Sequence, residues 1–155
     1  MDGFHLAQAE LKRLGRADRK GAVDTFDGAG FVALLARLRT AEEPVTYAPA
    51  FDRDLEEPIA GAIPVPRETR LVIVEGNYLL AHEEPWSQIR PLLDEAWYVE
   101  VPEDVRIAWL IARHERHGRT PEDARAFALG SDQVNADLIA ATRGLADALV
   151  ASGTQ

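Results

Sequence analysis
The long segment Pro102–His117 carries Arg106, Arg113 and Arg116 at offsets of seven and three, close to one helical face, and Arg119 follows just past its end. Arginine presents a planar fork of donors that matches phosphate oxygens, so such a cluster beside Gly118 suits a phosphate-clamping lid. A solvated face pairing with Glu103 and Glu115 is the alternative that spacing leaves open. A second candidate is Glu75. It ends the apolar run Leu71–Val74 and precedes Gly76, where a carboxylate with room for close approach would equip a magnesium or phosphate site. His114 and His117 invite a zinc reading. However, His-Glu-Arg-His is one residue short of the metalloprotease spacing, and no third ligand stands near in sequence. Ser87, Ser131 and Ser152 lack a nucleophile-elbow context. The only lysines, Lys12 and Lys20, have neither the preceding glycine nor the following Ser or Thr of a Walker A loop, so these residues contain no such loop.

The elements that must position these residues read as an α/β chain. The unbroken run Leu71–Val74, bounded upstream by Pro64 and Pro66, predicts a strand covered on both faces, with Glu75 at its carboxyl end, where ligands bind in open sheets. Leu6, Leu11 and Leu14 predict a helix stopped by Gly15, and Arg16 to Lys20 a solvated loop. Asp27 reads as an N-cap, with Phe31, Leu34, Leu35 and Leu38 on one face of the helix that follows. Val45 to Phe51 reads as extended and interrupted by Pro49, ahead of a charged turn over residues 52–58. A short extended piece is expected near Ala62–Val65. Pro85-Trp86 opens a short helix through Leu93, and Ala96–Val101 is a strand. A helix from Pro102 to about His117 ends at Gly118. Thr120-Pro121 starts another, Ser131-Asp132 caps a last one, and Leu145–Ala151 closes as a strand. Strands alternating with helices predict a mostly parallel sheet in one domain spanning residues 1–155.

Composition narrows the function. The 155 residues carry a net charge of −9, which argues against a nucleic-acid surface and means that any anionic ligand must be held by local arginines. There are no cysteines, and no apolar run approaches the roughly 18 residues that span a bilayer, which together predict a cytoplasmic protein with no membrane partner.

Taken in order, MDGFHL, FDRDLEEPI, LVIVEGNYLL, LIARHERHGRTPEDA and SDQVNADLIAATR resemble the P-loop small-molecule kinases. The likeness is to the uridine kinase, phosphoribulokinase and bacterial pantothenate kinase group, especially its bacterial nucleoside/nucleotide kinase-like branch, and it covers nearly the whole chain. The resemblance implies a three-layer P-loop NTPase-like fold and ATP-dependent phosphorylation of a hydroxyl on a nucleoside, sugar or pantothenate-like alcohol, with Mg²⁺ accompanying ATP. By position it implies Asp2 as general base, His5 near the substrate, and Phe51, Asp52 and Arg53 lining the acceptor pocket. Glu75 matches the magnesium-holding acid. Arg113, His117 and Arg119 match the lid over the nucleotide phosphates, in a region of about 103–128, and Asn135 lies near the base. Phosphoryl transfer needs such parts: positioning, a metal, charge neutralisation and a base.

Two departures from the group's pattern stand out. Trp109 occupies about the place where related uridine kinases carry another lid arginine. The group's first strand, glycine loop and first helix, with a second strand, precede the Asp2 position and amount to roughly 30 to 40 residues by typical element lengths. This predicts a truncated chain in which Met1 is an internal methionine, inactive without its Walker A segment or else a non-catalytic metabolite- or partner-binding relic. It also predicts an open sheet edge that favours homo-oligomers.

Overall fold
The computed structural model describes residues 1–152, which form two compact units, 1–94 and 95 onward. In the first unit, helix α1 covers Gln8–Arg13 and helix α2 covers Gly28–Thr40. Asp27 caps α2 as its sequence predicts, its carboxylate accepting from the Gly30 N–H at 2.8 Å. Strand β1, Val45–Asp52, pairs antiparallel with β2, Glu57–Pro66. The register slips between Ala48 and Ala50, around Pro49, which cannot donate to the ladder. β2 is much longer than the short piece expected at Ala62–Val65.

The core of this unit is aromatic. Phe31, Leu34 and Leu35 of α2 are buried with Leu11, Tyr78, Trp86 and Ile89. Tyr78 meets Trp86 with ring centres 5.5 Å apart, Phe26 meets both edge-on at 5.8 and 6.1 Å, and Phe4 meets Phe31 edge-on at 5.1 Å. Edge-to-face pairs of this kind add to the stabilisation from burial alone. The Tyr78 hydroxyl donates to the Gly21 carbonyl at 2.7 Å, so a fully buried phenol keeps its hydrogen bond.

The second unit contains strand β3, Trp97–Glu100, helices α3, Glu103–Arg116, α4, Pro121–Leu129, and α5, Ser131–Ala140, and strand β4, Ala148–Ala151. β3 and β4 pair in parallel, from Trp97 opposite Ala148 to Glu100 opposite Ala151. The α/β class stands. Thr120 caps α4, accepting from the Asp123 N–H at 3.2 Å. The expected capping of α5 by Ser131 and Asp132 does not form. Gly130 holds the N-cap position, and the Asp132 carboxylate is taken instead by His114 Nε2 of α3 at 2.7 Å.

The central strand is the larger correction. Among the described residues Leu71–Val74 pairs into no sheet, and Leu71 and Ile73 are 74% and 85% exposed. An apolar run forms a buried strand only when neighbouring strands supply hydrogen bonds and helices cover its faces. In this unit β1 and β2 satisfy each other. Among the described residues no helix is long and apolar enough to cross a membrane.

The contrast between core and run is measurable in the chain Met1–Gln155. Trp86→Ala is expected to destabilise the first unit by about 3–5 kcal/mol, whereas Ile73→Ser should change stability by less than about 0.5 kcal/mol. Denaturant unfolding of both variants checks this, and a large loss on Ile73→Ser would show that the run is packed.

Candidate functional site
Asp2, Gly3 and Phe4 form a single 3₁₀ turn at the start of the chain. Gly3 lies so close to the Pro49 carbonyl that a Cβ there would come within 2.4 Å of the oxygen. Only glycine allows this approach. The turn is thereby set against β1 at its irregularity, and residues 51 positions apart in sequence meet. Arg53 Nη2 donates to Asp2 Oδ2 at 2.5 Å, and both side chains are substantially exposed.

Behind this pair lies an aromatic wall. The His5 ring stacks on Phe26 at 4.0 Å and faces Phe51 at 5.1 Å, while His5 Nδ1 lies 2.8 Å from the Asp2 carbonyl. The backbones of His5 and Phe26 form an isolated antiparallel bridge, which fixes the stack. Burial lowers the His5 pKa from its ordinary value against the opposing pull of Asp2, and the Lys20 and Arg53 charges add to the lowering. The ring is therefore neutral at physiological pH.

Phe51 carries two cations, with Lys20 Nζ and Arg53 Cζ each 5.0 Å from its ring centre. The expectation of a solvated loop from Arg16 to Lys20 gives way here. Arg16 and Arg19 converge on Asp24, Arg19 Nη2 meeting Asp24 Oδ2 at 2.7 Å, and hold its carboxyl below the usual range. Lys20 reaches across to donate to the Glu56 carbonyl at 2.7 Å. A lone lysine without a phosphate-loop context gave no sequence signal of this role. Phe26 and Tyr78 were equally silent, since core aromatics and site-backing aromatics look alike in sequence.

Asp52, expected in the acceptor pocket, is used by the turn between β1 and β2, where its Oδ1 accepts from the Asp54 and Leu55 N–H groups at 2.9 Å each. Glu75 stands beside the residue that precedes Asp2: its carbonyl accepts from the Met1 amino group at 2.7 Å, and its Oε1 lies 3.3 Å from the same nitrogen. Its side chain is 83% exposed, leaving carboxylate oxygen open to solvent. Among the described residues no group of three or more His, Cys, Asp or Glu side chains could hold a metal.

The remaining candidates lie in the second unit. Arg113 and His117, four apart, share one face at the end of α3, where cations complement the helix dipole. Gly118, at φ +88°, turns the chain so that the Arg119 N–H reaches the His114 carbonyl at 3.1 Å. Arg119 then stacks its guanidinium 3.5 Å from the Phe127 ring centre. Arg113, His117 and Arg119 thus gather at one helix end. Arg106 differs: its Nη2 donates to Gln133 Oε1 at 2.5 Å and, with His114 and Asp132, ties α3 to α5. Asn135 is half-buried on α5, three residues beyond Asp132, and Trp109 is exposed on α3.

An ATP-dependent kinase-like protein of Aspergillus versicolor is 39% identical to this chain over 152 residues, spanning 92% of the chain and 88% of the relative. A crystal structure of a proposed fructose transport system kinase from Silicibacter matches with a TM-score of 0.88 at 40% identity, over 96% of this chain and 71% of that one. The chain belongs to the P-loop kinase family. A circularly permuted P-loop kinase-like protein of Saccharomyces cerevisiae, 22% identical, shares the fold at a TM-score of 0.85 over all of this chain and 57% of its own. No protein-family model matches. Two further curated relatives are longer, and this kinase-family chain spans 60% and 56% of them.

The lowered His5 pKa sets the sign of an acid effect. The unfolded chain takes up the His5 proton at a higher pH than the folded chain, so this contribution to stability is full above about pH 6.5 and is lost as pH falls through the folded value. Thermal midpoints measured from pH 8 to pH 5 should fall, and His5→Gln should remove part of that slope; an unchanged slope would mean that His5 does not titrate with folding.

Proposed function
We infer that this chain supplies the acceptor side and the lid of an ATP-dependent kinase that phosphorylates a hydroxyl on a small metabolite. The observation that carries the reading is the convergence of Asp2, His5, Phe51 and Arg53: a carboxylate at the open edge of an aromatic wall, steadied by one arginine. Asp2 accepts the proton of the attacking hydroxyl as its oxygen bonds to phosphorus, and the bond to the leaving diphosphate breaks. Neutral His5 and Phe51 orient the acceptor and exclude water from one side. Bound magnesium supplies charge neutralisation at the phosphates, and Glu75 is the residue that would hold it. Arg113, His117 and Arg119, in the lid region of about 103–128, offset phosphate charge, and Asn135 lies near the nucleotide base.

The relatives' names support the ATP-dependent kinase class. These 155 residues contain no Walker A sequence, so the phosphate cradle has to come from outside them. The chain Met1–Gln155 alone is therefore expected to release negligible ADP, and magnesium-dependent turnover that Asp2→Asn abolishes would overturn that. In a protein that also carries a glycine loop, Asp2→Asn is expected to lower kcat by about 10²–10⁴-fold, the usual worth of a general base. Glu75→Gln should raise the magnesium concentration needed for half-maximal ADP release. Activity unaffected by either change would remove that residue from the machinery.

A further inference from the structure
Lys20 and Arg53 stand on the same ring, and neither charge is fully answered. Lys20 is held by a backbone carbonyl, a neutral acceptor, while the Glu56 carboxylate is 4.0 Å away, the outer limit of an ion pair. Among the described residues, Arg53 makes one side-chain hydrogen bond, through Nη2 to Asp2, and its guanidinium is 69% exposed. The nearby carboxylates are otherwise engaged: Asp52 caps its turn, and Glu57 accepts from the Gln8 N–H through both oxygens at 3.1 Å. His5 adds no charge. In a chain of net charge −9, a spot with two under-answered cations beside the base is unexpected unless it meets an anion.

Building on the acceptor reading above, we propose that the acceptor is an anionic alcohol, bearing a carboxylate or a phosphate that Lys20 and Arg53 bind together over Phe51. Cation–π contact with the ring holds both side chains in place before the ligand arrives, which lowers the ordering cost of binding. The anion competes with Asp2 for Arg53. As Arg53 turns to the ligand it releases the Asp2 carboxylate, so the base becomes free only when an acceptor of the right charge is present. A neutral nucleoside or sugar lacks the group that triggers this exchange.

Titration of sodium phosphate and of sodium acetate into Met1–Gln155, at constant ionic strength with sodium chloride as control, followed by the backbone amide resonances of Lys20, Phe51 and Arg53, tests the proposal. Saturable shifts are expected with at least one of the two anions. Lys20→Met and Arg53→Gln should each weaken binding about tenfold, the worth of one charge-assisted hydrogen bond, and Asp2→Asn should tighten it by freeing Arg53. A preference for phosphate assigns a phosphorylated alcohol, and equal or tighter acetate binding assigns a carboxylated one. Absence of saturable shifts beyond the chloride control, wild-type affinity in either cation variant, or no tightening in Asp2→Asn would overturn the proposal. Because no nucleotide is added, the outcome is separate from whether phosphoryl transfer occurs: turnover on neutral alcohols without anion binding would sink this inference alone.

Discussion

The close contact of the His5 ring with Phe26 is the interaction on which the placement of the Asp2 turn depends. Phe26 packs edge-on against Tyr78 and Trp86, so it belongs to the buried aromatic core, while His5 belongs to the short turn that carries Asp2. One ring therefore transmits the rigidity of the core to the edge of the site. A turn of three residues at a chain end has little stability of its own. Here it is fixed by the stack, by the bridge between His5 and Phe26, and by the fit of Gly3 against Pro49. The position of Asp2 is thus set by hydrophobic burial several residues away.

The same packing governs the electrostatics. Burial keeps His5 neutral, and the nearby Lys20 and Arg53 press in the same direction, so an aromatic wall is presented instead of a third cation. Phe51 holds the two cations at equal distance without neutralising them, as a carboxylate would. The second unit uses a parallel device. Arg119 lies over Phe127 and keeps its charge, whereas His114 pairs with Asp132 and Arg106 with a glutamine, and these two bind helices together. Basic residues of one helix segment thus divide by partner: those over an aromatic ring or open to solvent can meet phosphate, and those bonded to a neighbouring helix serve the fold.

Leu71–Val74 shows how far local pattern can reach. Its composition is that of a buried strand, and in this chain it is exposed and unpaired, because a strand is completed by its neighbours rather than by its own residues. The run leads directly to Glu75, whose carboxylate stands open beside Met1.

The sequence by itself determined the helices and their caps at Asp27 and Thr120, the turn after Asp52, the α/β alternation and the family, because these follow from residue-level preferences and from an ordered set of motifs. The resemblance also named Asp2, His5, Phe51 and Arg53, and the structure brings these four side chains into contact. Tertiary structure alone decided that Asp132 leaves its capping position for His114 and that Lys20 joins Phe51 from a loop which reads as solvated. Each of these depends on which partner a polar side chain meets across tens of residues. Such competition between local and distant hydrogen bonds is settled by packing, and no spacing along the chain records its outcome.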